Sequence, residues 1–337
     1  MIFQYLVLEI LKKIENERTI SSPYHLLNGK RSGHTIQDVG IFHLHSYFGI
    51  LPKLERWRYD ETIQNLIEQQ YIILKENSYF QITNKGLEAL QKYKSLPFNG
   101  WKYRGNEHIF FSRLSLTVQS LSHARANVMS FRPVQKDEGI QQWVRNFLLK
   151  NQYKSGRIQQ HLYNEIIQSL SNVAIEERAK DIAVKRLAGY EISGITWQQI
   201  ALEEKLQEMD VQLLYVACLH QWLNEIIDNS KQYPYLFQLA ENVRVDIPLT
   251  GSAYQTAMLF KKGYSIEQIC HIRKLKQSTI EDHLIELAMH DPTFPIEQFI
   301  SKEDIRQVYA ATEDYDTKKL KILHEVLPHL SYFQLRL

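Results

Sequence analysis

Cysteine is scarce in this chain: Cys218 and Cys270 are the two among 337 residues. Two thiols cannot build a four-cysteine zinc site, and they are not the close pair that a mixed cysteine and histidine finger needs. Both sit at helical spacing in apolar stretches, Leu213 to Leu219 and Ile266 to Cys270. That pattern predicts two buried, reduced core thiols and a cytoplasmic setting. Long apolar runs are also missing, since no stretch reaches the roughly 18 residues of a membrane-spanning helix. Met1 to Leu8 is apolar, but it has no basic flank and is interrupted by Gln4 and Glu9. With Ile10, Leu11 and Ile14 following, it predicts an amphipathic helix rather than a signal peptide, in a soluble protein with no membrane contact.

Charge of one sign is lacking as well. Forty Lys and Arg oppose 38 Asp and Glu, a formal net charge of +2. No global basic field follows from that balance, so affinity for nucleic acid has to come from local patches. Catalytic signatures are absent too. Gly29-Lys30 is the one step worth testing as a P-loop, but Tyr24 stands where the first glycine belongs and Arg31 replaces the Ser or Thr. His43-Leu44-His45 has i, i+2 spacing, whereas helical metal pairs use i, i+4. Glu176-Glu177 and Glu203-Glu204 read as solvated helix faces, and no nucleophile, base and orienter come together. The expectation is a non-enzyme without metal or cofactor.

What is present is helical periodicity, in three blocks. Residues 1–96 carry a first helix to about Glu15, a second over Thr35 to Phe48, and a third after the basic stretch Lys53 to Arg58. Two β-rich runs follow, Tyr71 to Leu74 and Tyr79 to Ile82, around a Lys75-Glu76-Asn77-Ser78 turn. Thr83 then caps a last helix. That order predicts a winged helix with a small β-wing. Residues 97–247 form a helical middle block with no repeat evident, entered at Leu96-Pro97-Phe98-Asn99-Gly100. Its stripes read as core. Gly194-Ile195-Thr196 with Gln198-Gln199-Ile200-Ala201 resembles the second helix of a small helix-turn-helix.

Residues 248–337 open at Ile247-Pro248-Leu249-Thr250-Gly251, read as a linker or tight turn, and carry the sharpest pattern. One helix covers Ser252 to Lys262 and stops at Gly263. Ser265 caps a short second helix with capping-box spacing to Gln268, and a third starts at Ser278-Thr279-Ile280. This is a helix-turn-helix. The chain as a whole is therefore expected to be mainly α and multi-domain.

The first block resembles the C-terminal winged-helix domain of RecQ helicases without its zinc module. The likeness rests on Leu8 to Leu11, His25 to Ser32, Tyr47 to Ile50, Ile63 to Ile67, Tyr71-Ile72 and Ile82-Thr83-Asn84-Lys85-Gly86. Residues 252–337 resemble the helix-turn-helix module appended to many bacterial RecQ chains, through Leu259-Phe260, Gly263, Ser265-Ile266, Ile269, Arg273, Leu275 and Ser278 to Leu284. Its tail matches too, at Ile305, Lys319 to Lys321, Leu327-Pro328 and Ser331-Tyr332. The full length is similar to the YpbB-type proteins of bacteria.

The resemblance implies a non-catalytic, nucleoid-associated factor acting beside a RecQ-like helicase in repair, recombination or fork maintenance. Other replication-fork proteins, such as single-stranded DNA-binding protein, are further candidate partners. In the winged-helix family this face contacts duplex DNA, which implies phosphate contacts from Lys30, Arg31, Lys53, Arg56 and Arg58, with Lys75 in the turn. Trp57 either stacks on a sugar or base or anchors the core beneath the two arginines. In the last block Arg273, Lys274, Lys276, Gln277, Ser278, Thr279 and His283 serve DNA or protein docking, although Glu281 and Asp282 oppose a phosphate backbone. Binding to DNA is expected to be weak and mostly through phosphates. Two other classes stay open: a sequence-specific transcription regulator and a pure protein-docking adaptor.

Overall fold

The computed structural model describes residues 1–128, 130–245, 249–291 and 293–337. It is mainly helical, and a single two-stranded sheet appears among the described residues. In the N-terminal module α1 (Ile2–Ile14), α2 (Ser22–Leu27), α3 (Gly33–Ile41) and α4 (Arg56–Glu68) lead into β1 (Ile72–Leu74) and β2 (Phe80–Ile82), then α5 (Asn84–Gln91). The strands pair antiparallel with Ile73 opposite Gln81. The hairpin and the helix after it fall where expected, but four helices rather than three precede the hairpin, because α2 (Ser22–Leu27) was not expected.

One boundary differs. The helix expected over Thr35 to Phe48 ends at Ile41, because His43 adopts φ 53° and a 3₁₀ turn replaces the last stretch. A single left-handed residue breaks the hydrogen-bond ladder that helical periodicity alone cannot see broken. The basic stretch also lies partly inside α4, whose first residue is Arg56.

The middle block contains α6 (Gly100–Tyr103), α7 (Glu107–Arg125), α8 (Glu138–Lys150), α9 (Arg157–Asn172), α10 (Glu177–Lys185), α11 (Trp197–Glu204), α12 (Glu208–Asp228) and α13 (Pro234–Leu239). Its centre is α12, and that helix serves two cores. Met209, Leu213, Val216 and Ala217 join the N-terminal core, at spacing i, i+4, i+7, i+8. Val211, Leu214, Cys218 and Trp222 belong to the middle core. Buried Asp210 accepts the Phe3 backbone N–H at 2.9 Å, which ties α1 to the first turn of α12. The Leu96 to Gly100 segment is wedged rather than free: Phe98 is buried, and a Cβ on Gly100 would lie 2.4 Å from the Phe48 carbonyl.

The C-terminal module contains α14 (Gly251–Lys261), α15 (Ile266–Arg273), α16 (Gln277–Ala288), α17 (Lys302–Asp314), α18 (Leu320–Val326) and α19 (Tyr332–Arg336). Ser265 and Gln268 form the capping box, and Gly263 takes φ 88° just past α14. The Ile247-Pro248 step lies outside the described residues. Cys218 is buried as expected, whereas Cys270 is only partly covered at the module's edge.

Helix α16 lies against α3, and two glycines let it approach. A Cβ on Gly33 would fall 2.7 Å from the Asp282 carboxylate, and one on Gly40 would fall 3.0 Å from Met289 Cε. Beside them the His290 ring stacks on Trp101 at 4.9 Å between centroids and faces its indole N–H at 3.4 Å. Lys318 Nζ donates to the Ile41 carbonyl at 3.0 Å, and its backbone N–H donates to Glu17 at 2.9 Å. The N- and C-terminal modules thus share a polar and apolar seam.

Two measurements follow from this packing. Thr83 Oγ1 accepts the Gly86 N–H at 3.1 Å, and a Cβ on Gly86 would sit 2.4 Å from the Tyr71 carbonyl. Gly86→Ala is expected to cost roughly 1–3 kcal/mol in denaturant unfolding, as overpacking does. An unchanged midpoint would show that the hairpin exit is not constrained as described.

Burial pushes the His290 imidazole down to about 4 from 6.5, with the charges of Arg104 and His45 adding to it. The unfolded chain then binds a proton that the folded one refuses. Stability is complete above pH 6.5 and is lost as pH falls toward 4. Burial raises the Glu286 carboxyl, which works in the opposite sense, so the comparison must be with a variant. His290→Phe keeps a ring against Trp101 and is expected to lose about 2 kcal/mol less than the parent between pH 7 and 5. Equal slopes in pH-dependent unfolding would contradict this.

Candidate nucleic-acid interface

The first turn of α4 is built from Arg56, Trp57 and Arg58, and its burial pattern decides the role open to Trp57. The ring is 57% exposed, so it does not anchor the core. Tyr59 takes that place, fully buried, with its hydroxyl donating to the Ile20 carbonyl at 2.5 Å. The Arg58 guanidinium lies 4.9 Å from the Trp57 ring centroid and pairs with Glu55 at 3.2 Å. Arg56 spreads over Tyr24 at 5.0 Å and pairs with Asp60 at 2.8 Å. Both ion pairs are exposed, so they contribute little and yield readily to a phosphate.

Residues far apart in sequence meet here. His25 packs against Tyr24, the ring that Arg56 covers, and its carbonyl accepts the Lys30 N–H at 3.0 Å; burial first, then the charges of Lys30 and Arg56, push its imidazole down. Nothing in the local sequence singles out His25, because its neighbours are set by the turn after α2. Arg31 lies in the same exposed loop, and its charge bears on Arg104 and Glu286 at the seam with the C-terminal module. Lys53 is exposed ahead of α4, and Lys75 is exposed at the base of the hairpin turn, next to exposed Ile73 and Leu74. Beyond its first turn α4 changes character. Asp60, Glu61 and Glu68 are exposed, and a groove lined by phosphates repels such a face. The contacts this module can make with nucleic acid are therefore at the N-terminal turn, the 30–31 loop and the hairpin.

The C-terminal cluster separates into two groups. Lys274, Lys276, Gln277 and Ser278 are exposed, with Thr279 half-buried behind them. His283 is buried, and Arg273, though partly exposed, is held by neighbouring groups. The Arg273 guanidinium donates to the Ser252 carbonyl at 2.6 Å, to Ser252 Oγ and Gln255 Oε1 at 3.0 Å each, and to Thr256 Oγ1. It is a strut between α14 and α15. His283 is buried against Thr256 Oγ1 at 2.9 Å, and burial together with Arg273 lowers its pKa. Burial takes His283 away from the surface, which corrects the expectation for it, while the hydrogen bonds of Arg273 occupy its guanidinium within the module. The reason is tertiary. From Ile280 to Leu287 only Glu281 and Asp282 keep part of their surface, because α14, α15 and α3 enclose α16. Asp282 is further held by Arg336 at 2.6 Å.

The middle block repeats this local design. Gly194, Thr196, Gln199, Ile200, Ala201, Lys205, Leu206 and Val211 stand at the spacing of Gly263, Ser265, Gln268, Ile269, Cys270, Lys274, Leu275 and Ile280. Both segments form a capping box, an eight-residue helix and a left-handed lysine C-cap, with φ 52° at Lys205 and at Lys274. The absence of repeats expected from sequence is corrected here. A second helix-turn-helix unit exists in α11 and α12, and its following helix is the buried α12.

The comparisons agree with this geometry at the C-terminus. A family of helix-turn-helix domains matches residues 252–337. No solved structure matches the chain. Protein YpbB of Bacillus subtilis (strain 168) is 32% identical over 348 aligned residues, which span 99% of this chain and 96% of that protein. At that identity and coverage the chain belongs to the YpbB family, with a helix-turn-helix domain at its C-terminus.

Proposed function

We propose that this protein is a non-catalytic accessory factor that contacts DNA phosphates through its N-terminal module and works beside a RecQ-type helicase supplied in trans. The observation that carries the reading is the first turn of the helix that precedes the hairpin, where Arg58 lies over exposed Trp57 and Arg56 covers Tyr24, with exposed Lys30 in the neighbouring loop. The helix-turn-helix domain supports DNA as the ligand, and the order of helices and hairpin supports the likeness to the RecQ winged helix. A helicase partner fits a chain that carries modules resembling those of RecQ but no nucleotide-binding loop. Work in repair, recombination or fork maintenance, in the cytoplasm and at the nucleoid, follows from that partner. Fork proteins such as single-stranded DNA-binding protein belong to the same assembly.

A docking adaptor is the second reading, and the enclosed α16 favours it for the C-terminal module. A helix whose only partly open positions beyond its first turn are Glu281, Asp282 and Ala288 is poorly placed to read base edges. That also argues against a sequence-specific regulator.

Fluorescence anisotropy with unrelated duplexes at several salt concentrations tests the DNA reading. Arg56→Ala with Arg58→Ala is expected to weaken all duplexes alike and to lower the salt slope by roughly 2, since about 0.9 counterion is released per phosphate contact. A slope unchanged in the double variant sinks the assignment of this face. Co-purification from nuclease-treated extract, followed by unwinding assays, tests the partner. Failure to enrich a helicase, with unwinding unaltered, overturns the accessory role.

A further inference from the structure

The cations of this chain are unevenly spread. Residues 125–164 of the middle block hold seven of them, Arg125, Arg132, Lys136, Arg145, Lys150, Lys154 and Arg157, against two carboxylates, Asp137 and Glu138. That stretch carries +5, so the rest of a chain of net +2 sums to −3. All seven are exposed, and among the described residues none of them is ion-paired. Arg56 and Arg58 at the start of α4, by contrast, are both held by carboxylates. Like charges gathered without counter-charges repel one another, and a polyanion relieves that repulsion.

The packing of α7 against α8 and α9 brings these cations together. A groove of about 870 Å³ between α7 and α9 is lined by Arg125 and Lys154, and one of about 250 Å³ between α7 and α8 is lined by Arg145. Ala124 borders both grooves. Gln159 of the larger donates to the Tyr153 carbonyl of the smaller at 3.4 Å, so the two adjoin. Arg132, Lys150 and Arg157 each stand next in sequence to a residue of one groove or the other.

Between the cations the surface is apolar and open. Tyr163 on α9 is 60% exposed at the larger groove, with exposed Ile167 one turn further along the helix. Leu149 on α8 is 61% exposed at the smaller one. A double helix turns its bases inward and leaves such groups uncovered. A single strand lays its phosphates on the cations while its bases cover the tyrosine and the aliphatic groups.

We infer that these adjoining grooves bind single-stranded DNA, with phosphates held by Arg125, Arg145, Lys154 and Arg157 and a base stacked on Tyr163. The choice of DNA over an acidic protein segment rests on the proposed DNA reading of this chain. The surface itself is separate from the first turn of α4.

The test is fluorescence anisotropy on the full chain, with labelled oligothymidine of about 16 nucleotides, a duplex of equal length, and poly-glutamate as competitor. Arg125→Gln, Lys154→Gln and Arg157→Gln together are expected to lower the salt slope for oligothymidine by roughly 2, since a single strand releases about 0.7 counterion per contact. Tyr163→Ala is expected to weaken oligothymidine about tenfold with the slope unchanged, and Tyr163→Phe to restore it, as stacking requires. Neither set is expected to alter duplex affinity, which Arg56→Ala with Arg58→Ala reduces. No oligothymidine binding, or binding indifferent to both sets, overturns the groove; duplex binding that still depends on Arg56 and Arg58 then leaves the reading at α4 standing. Equal losses for single strand and duplex overturn the preference for a single strand. Poly-glutamate that displaces oligothymidine at matched charge overturns DNA as the occupant. Oligothymidine binding lost in the middle-block variants, with no duplex binding at all, supports the groove and overturns the contact at α4.

Discussion

A helix of 21 residues that keeps almost no solvent face has to be enclosed on every side, and α12 is such a helix. Its two apolar stripes point in different directions, so no single layer of helices can cover both. The N-terminal module covers one stripe and α7, α9, α10 and α11 cover the other. The N-terminal and middle blocks are therefore joined through one shared element rather than by a surface contact of two finished domains. Asp210 at its first turn would be an isolated buried charge without the Phe3 amide and the N-terminal ammonium that it binds. Those bonds in turn set where α1 starts, and α1 is the spine of the N-terminal core.

The two helix-turn-helix units show one local solution used for packing. A capped short helix, a left-handed lysine and a turn aim the next helix across the preceding pair, and the capping box supplies two of the orphan amides at its start. In a groove reader that next helix keeps one polar face free. Here α12 is mostly enclosed, with only Asp228 fully exposed, and beyond its first turn α16 keeps only part of Glu281, Asp282 and Ala288 open. Gly33 and Gly40, seven residues apart on α3, are what allow α16 to come so near, since side chains at either place would meet Asp282 or Met289. What remains outside is the polar first turn of α16 with Lys274 and Lys276 before it. A motif that elsewhere reads DNA becomes, in this arrangement, a clamp between modules with a small cationic rim.

Much of the fold was legible because its signals are local. Ser265 with Gln268, Thr83 before Gly86, and Gly263 after α14 each satisfy backbone groups within a few residues, so sequence spacing reports them directly. The β-rich runs around Lys75 to Ser78 are equally local. What was illegible depends on contacts between distant residues. His43 in a left-handed conformation cuts α3 short, though the apolar spacing continues past it. Arg273 and His283 read as surface groups by their position in the motif, and only the approach of Ser252, Gln255 and Thr256 turns them inward. The charges beside His25 come from a loop and from a helix thirty residues further on. The second helix-turn-helix had its spacing on view, but its pattern is short and its residues, Trp197 and Met209 among them, are too apolar to look like a DNA reader.

The distribution of charge limits how the proposed contact with DNA can be made. With +2 overall, long-range attraction is small, and orientation has to come from where the exposed cations stand. On α4 they stand at the N-terminal turn, where the dipole is positive, while Asp60, Glu61 and Glu68 line the rest of the exposed face. A helix charged in that way meets a phosphate with its end and is repelled if it lies lengthwise in the groove. Base readout needs the lengthwise pose, so an end-on contact binds the backbone and tells sequences apart poorly. The hairpin continues the same surface with Lys75 and two exposed apolar residues, Ile73 and Leu74. On the DNA reading proposed above, a cationic edge beside two exposed apolar strand residues would suit the end or branch of a duplex, where stacked bases are open, better than its uninterrupted side. On that proposed reading, specificity for such places would come from shape and would need no more charge than this chain carries.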